Sequence, residues 1–200
     1  ACFEVFVRNG YAKTSTAMLA EAAGISKALI FHHFESKRKL YFCILERCFE
    51  KMALEIPKES PTEYSNFFEA KEKRGLTNID YFRKNPDMNK FMFEANFSTP
   101  DELKMEMNEF KACIERKYGA MNAAKDEQMK QLFDEIPLRD GVGSKEAYEL
   151  INVVSEYFRM KLAAELTEVT KSNDDVYWKD FFKRKNAFLD MVRHGIEKNK

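Results

Sequence analysis

Apolar residues recur along this chain at intervals of three and four. Ile30 and Phe34 stand one helical turn apart, and Ala147, Ile151, Val154, Phe158 and Leu162 form a longer stripe. Phe181, Phe182, Phe188, Leu189, Val192 and Ile196 form another, with charged residues between. Such spacing lays one apolar face along a helix. Glycines punctuate the pattern: Gly10, Gly24, Gly75, Gly119 and Gly195 each follow a periodic run, where a helix ends best on a residue free to turn left-handed. Ser60-Pro61-Thr62-Glu63 and Thr99-Pro100-Asp101-Glu102 read as capping boxes with proline at the first helical position, and Asn85-Pro86 repeats the signal. Together these predict helices over 1–9, 16–23, 27–33, 37–56, 61–74, 77–84, 86–97, 100–118, 123–136, 145–171 and 175–197. Three short helices precede several long ones, so a small N-terminal module is expected ahead of a larger helical body.

Composition agrees with an all-α fold: among 200 residues there are only 7 Gly and 5 Pro, against 18 Phe and 10 Met. No apolar run is long enough for a membrane span and no leader precedes the first helix, so a soluble, cytoplasmic protein with no membrane partner is expected. The chain opens at Ala1 inside the first helix without an initiator Met, which predicts that the N-terminus of that helix is missing. Cys2, Cys43, Cys48 and Cys113 form no C-x-x-C pair and read as free thiols. The formal charge is zero, but residues 1–48 carry seven Lys/Arg and four Asp/Glu, so the N-terminal quarter is the basic one.

Within that quarter, Ala20, Gly24, Ile25, Ser26, Ile30 and Phe34 have the spacing of a helix-turn-helix. A small residue lets two helices cross closely, a glycine makes the turn, a serine caps the second helix, and Ile30 and Phe34 seat it on the core. His32 and His33 raise a separate question. Neighbours on a helix point about 100° apart and no carboxylate or thiol lies one turn away, so they suit neither a shared metal ion nor a triad. Phosphate contact suits them better, with Lys37 opening the next helix and the free N–H groups of two helix starts, near Thr16 and Ser26, beside them. The alternative is that both histidines are simply solvated. The paired acids Asp101/Glu102 and Asp174/Asp175 sit at predicted helix starts, where capping explains them better than catalysis. No enzyme and no cofactor is expected.

The run from Ala1 to Cys48, with an aromatic helix closed by "NGY", then "AEAAGISK", "HF" and "SK", resembles the N-terminal domain of the TetR-type family of bacterial transcriptional regulators. The resemblance implies an all-α protein: an N-terminal three-helix helix-turn-helix domain, residues 1–48, followed by a larger helical ligand-binding and dimerisation domain, residues 49–200. It implies that Thr16 caps the second helix and touches phosphate, that Ser26 does likewise for the third, that Lys27, Ala28 and Leu29 face the bases, and that Phe31, His32, His33 and Lys37 line the DNA backbone. Phe31 stands where tyrosine is usual, and Leu29 replaces a commonly polar base-reader, so double-stranded operator DNA would be read partly through its shape. The family further implies a nucleoid-associated homodimer, a repressor released from a pseudo-palindromic operator by an apolar or aromatic small-molecule effector. Phe91, Met92, Phe93, Met105, Phe110 and Phe158 are the expected pocket, and Ile151, Val154, Phe158, Phe181, Phe188 and Val192 the expected dimer contacts. The competing reading is a DNA-bound platform of the same fold, regulated by a protein partner with no small-molecule effector.

Overall fold

The computed structural model describes residues 1–165 and 174–198. Its helices are α1 (Cys2–Lys13), α2 (Thr16–Ala23), α3 (Lys27–Phe34), α4 (Lys37–Glu59), α5 (Phe67–Lys84), α6 (Pro86–Phe97), α7 (Lys104–Asp134), α8 (Ser144–Glu165) and α9 (Asp175–Ile196), with a 3₁₀ turn at Asp101–Leu103 leading into α7. Among the described residues there is no strand, only one isolated antiparallel bridge between Leu138 and Glu197. The protein is all-α, as the periodicity predicts. The part of the predicted 145–171 helix beyond Glu165 lies outside the described residues.

Two of the five glycines read as helix ends behave so. Gly10 breaks α1 with φ 68° and ψ 172°, and Gly24 ends α2 at φ 67° and ψ 28°. Gly75, Gly119 and Gly195 instead lie inside α5, α7 and α9. A helical glycine costs only about 1 kcal/mol relative to alanine, which the apolar faces on either side of it outweigh. Thus two predicted helices, 61–74 and 77–84, are one. The start of that helix also moves: Asn66 Oδ1 accepts from the Glu69 N–H at 2.9 Å and Glu69 accepts from the Ser65 N–H at 2.6 Å. This reciprocal capping takes the place of the one expected at Ser60.

The chain divides into two compact units, residues 1–58 with 84–120 and residues 59–83 with 121–200. The sequence reading draws its boundary at residue 48; in the structure α6 and the first part of α7 belong with the N-terminal helices. The reason is an aromatic cluster. Phe91 of α6 meets Phe3 and Tyr41 at ring-centroid distances of 5.5 and 5.0 Å, while Phe6 lies 5.2 Å from Tyr41. Phe6 and Phe91 are fully buried, and burying such a side chain contributes about 1.5–3 kcal/mol. Burial also holds the Tyr11 and Tyr41 hydroxyls above their usual range, so both stay neutral. The other unit has two apolar clusters. One gathers Phe67, Phe133, Ile151, Leu189 and Val192, the other Ile79, Phe158, Trp178 and Phe181.

Candidate functional site

Helices α2 and α3 meet at the left-handed turn of Gly24, whose N–H bonds back to the carbonyl of Glu21. Ser26 then caps α3, its hydroxyl accepting from the Leu29 N–H at 3.2 Å. The geometry of the second helix follows from one buried residue. Ile30 is 1% exposed and anchors the helix, whereas Leu29 is 39% and Phe31 48% exposed. Lys27, Ala28, His32 and His33 are exposed as well. One helical face therefore holds the core while the first turn of α3 presents Lys27, Ala28 and Leu29 to solvent, a shape that a major groove accepts.

The cap of α2 is Ser15, not Thr16. Ser15 has extended backbone angles and accepts from the Met18 N–H at 3.2 Å, while Thr16 is the first helical residue and is half-buried. The run "TST" offers three hydroxyls, and the first, Thr14, is buried and donates to the Gly10 carbonyl at 2.7 Å. Only Ser15 is left with both the right backbone angles and a free hydroxyl.

Lys37 is held in place as well. Its ammonium donates to the carbonyls of Tyr11 and Thr14 at 3.0 Å each and sits 4.0 Å over the Tyr11 ring. A cation on the last carbonyls of a helix is electrostatically favourable, so Lys37 ties the end of α1 to the start of α4 with at most one N–H left for a phosphate. The rings of His32 and His33 meet edge to face at 5.3 Å, and among the described residues no His, Cys, Asp or Glu group could hold a metal ion.

The expected pocket residues do not come together. Phe91 and Met92 are buried in the first unit, Phe93 stacks on Phe97 at 4.5 Å, Phe110 lies against Phe42 at 5.6 Å, and Met105 is exposed. Phe158, in the second unit, lines a cavity of about 500 Å³ between α5, α7, α8 and α9. Other walls are formed by Ile79, Phe82, Met129, Leu162 and Phe181, with Lys71, Arg74 and Lys185 also facing it.

Of the expected dimer contacts, Ile151, Phe158, Phe181 and Val192 are buried in their own unit, Val154 packs against them, and Phe188 is exposed. A different stripe of α8 faces solvent: Leu150, Val153, Tyr157 and Met160. Phe188 and Met191 of α9 are exposed too, and Phe188 stacks on Tyr157 at 6.3 Å. The signal was legible. Leu150, Val153, Tyr157 and Met160 repeat at three- and four-residue intervals beside the buried stripe, so α8 is apolar over a wider arc than its own core needs.

Residues 1–43 match the family described as bacterial regulatory proteins, tetR family. Over 47 residues the chain is 43% identical to the HTH-type transcriptional activator FasR of Mycolicibacterium smegmatis, a stretch that is 24% of this chain and 22% of that protein. Over 54 residues it is 37% identical to an HTH-type transcriptional repressor of Mycobacterium tuberculosis, covering 27% of this chain and 29% of the other. Each match thus spans less than a third of the relative's length. Across nearly its whole length the chain has the fold of the ketosteroid transcriptional regulator KstR2 of Mycobacterium tuberculosis, with a TM-score of 0.58, 15% identity, and 99% and 94% of the two chains covered. The same holds for the TetR family regulator PfmR of Thermus thermophilus, at 0.52, 19%, 98% and 96%.

Proposed function

We propose that this chain, whose residues 1–43 match the tetR family and whose fold is that of a TetR family regulator, works as a homodimeric repressor whose grip on DNA is loosened by a small molecule. The observation that carries this reading is the first turn of α3, where Lys27, Ala28 and Leu29 are all exposed beside the buried Ile30. Lys27 is the long polar group for base edges, and Leu29 packs on a thymine methyl. Thr16, Ser26, Phe31, His32, His33 and the remaining N–H of Lys37 border the phosphates, helped by the free N–H groups at the starts of α2 and α3.

Pairing is assigned to the exposed stripe of Leu150, Val153, Tyr157 and Met160 with Phe188 and Met191. A self-complementary patch of this kind gives a two-fold dimer. Its two α3 helices would enter major grooves about 34–36 Å apart and read a pseudo-palindrome. The cavity lined by Phe158 is the seat of the effector, and its existence favours control by a ligand over control by a protein partner. Ligand shifts the equilibrium only by its preference for the form that does not fit DNA. Selection from random duplexes tests the reading: enrichment of a pseudo-palindrome that Leu29→Ala relaxes at one position per half-site is expected, and recovery of no symmetric site refutes it.

A further inference from the structure

The cavity of the second unit is built unevenly along its length. Lys71 and Arg74 of α5 and Lys185 of α9 face it; Phe158 stands one turn of α8 beyond Ser155, the partner of Lys71, with Leu162 a further turn on, and Phe82 lies eleven residues beyond Lys71 on α5, about 16 Å by the 1.5 Å rise per residue. The two lysines are half-buried, and the hydrogen-bond partners of Lys71 are neutral. Lys71 Nζ donates to Asn152 Oδ1 at 3.2 Å and to Ser155 Oγ at 3.5 Å. Lys185 Nζ lies where a side chain on residue 75 would be: a Cβ added to Gly75 would sit 2.5 Å from it. Among the described residues no carboxylate is in salt-bridge reach of either ammonium. The one acid on the lining, Asp126, is exposed and acts on Lys125 as well as Lys71, while Arg159, also on the lining, is already paired with Glu156. Desolvation depresses both lysines, Lys71 to about 8, with Lys185 and Arg74 adding repulsion at Lys71. Proteins pair the charges they withdraw from water. Here the hydrogen bonds of Lys71 are met by neutral oxygens, and the carboxylates that act on the pair, Asp126 on Lys71 and Glu72 on Lys185, form no salt bridge with either lysine and do not outweigh the desolvation.

From this juxtaposition of Lys71, Lys185 and Arg74 at one end and an aromatic, aliphatic wall at the other, we infer that the cavity takes an amphipathic carboxylate, its anionic head between the two lysines and its apolar body along Phe82, Phe158 and Leu162. The inference rests on the ligand-controlled reading above and narrows it from an apolar effector to an anionic one. The purified protein, stripped of lipid, reports occupancy through Trp178, which is buried against Phe158 and Phe181 of the cavity wall. Decanoate and 4-phenylbutanoate are titrated, each beside its methyl ester. At least one acid is expected to bind at least about tenfold more tightly than its ester, and the preference to vanish in the Lys71→Met/Lys185→Met double variant. That variant is also expected to melt at a higher temperature than the wild type, because it sheds two desolvated charges. Equal binding of acid and ester, or a preference that survives in the variant, overturns the anionic site and spares the ligand-controlled regulator. No binding of any probe overturns both readings. A lowered melting temperature marks the lysines as structural and likewise overturns the anionic site.

Discussion

Glu35 is a non-glycine residue at φ 60° and ψ −36°, between α3 and α4. The Ser36 N–H bonds to the Phe34 carbonyl at 2.6 Å across it, which makes Glu35 the centre of a γ-turn in its rare, strained form. Its side chain pairs with Lys39, an exposed contact that offsets little. Glu35→Gly is therefore expected to raise the unfolding free energy by about 1 kcal/mol, read by urea denaturation; a loss of stability would show that the turn is not strained. Lys71 supplies a pH signature at the same scale. Its ammonium titrates near 8 in the folded protein, below the usual lysine value of about 10.4, with Lys185, Arg74 and Asp126 facing it. Between those two pH values the unfolded chain holds the proton and the folded one sheds it, so stability rises with pH through that window. Below pH 8 both states are charged and the folded one bears the whole desolvation cost. Lys71→Met is thus more stable than the wild type at pH 7, on the order of 1–2 kcal/mol after allowing for partial solvent access. The gap should close as pH approaches 10.5, and a gap independent of pH would mean that Lys71 is not desolvated.

At the level of helices, the start of α2 separates two neighbouring hydroxyls. Ser15→Ala removes the acceptor for the Met18 N–H and should cost about 1 kcal/mol, whereas Thr16→Ala should cost little stability and act only on DNA affinity. Equal losses from the two substitutions would return the cap to Thr16. The helix-turn-helix itself was legible because its cues are local: a left-handed glycine, a serine cap and an apolar residue one turn on are decided within a few residues. So was the all-α class, which rests on periodicity alone. What escaped depends on partners distant in sequence. Gly75 reads as a helix end until Lys185, on another helix, is seen to occupy the room its missing side chain leaves. Ile151 and Leu150 are neighbours of similar hydrophobicity, and only packing against Leu189 and Val192 decides which of the two faces inward. The expected pocket gathered aromatic residues by density, yet Phe91 spends its ring on Phe3 and Tyr41. Aromatic density marks a core without saying whether the core has a hole in it.

For the whole molecule, pairing and DNA binding have to fail together if the exposed stripe of α8 and α9 makes the dimer. Tyr157→Glu with Met160→Glu places two carboxylates on residues that are half or more exposed, so the fold of each chain should be kept while the patch is spoiled. Sedimentation of the double variant is expected to give a monomer with an unchanged helical spectrum. A lone chain reaches one half-site, losing the effective concentration that the second gains from the first, so affinity for the operator should drop by a factor of about 10²–10⁴. Because half the phosphate contacts go with it, the slope of log affinity against log salt should fall to about half. A buried control sharpens the contrast. Ile151 is fully buried one position from the stripe, and Ile151→Ala should cost about 2–5 kcal/mol of unfolding free energy while leaving the folded protein a dimer with its salt slope intact. If the surface variant stays dimeric, or turns monomeric without weakening on DNA, then the apolar stripe is not what joins two recognition helices.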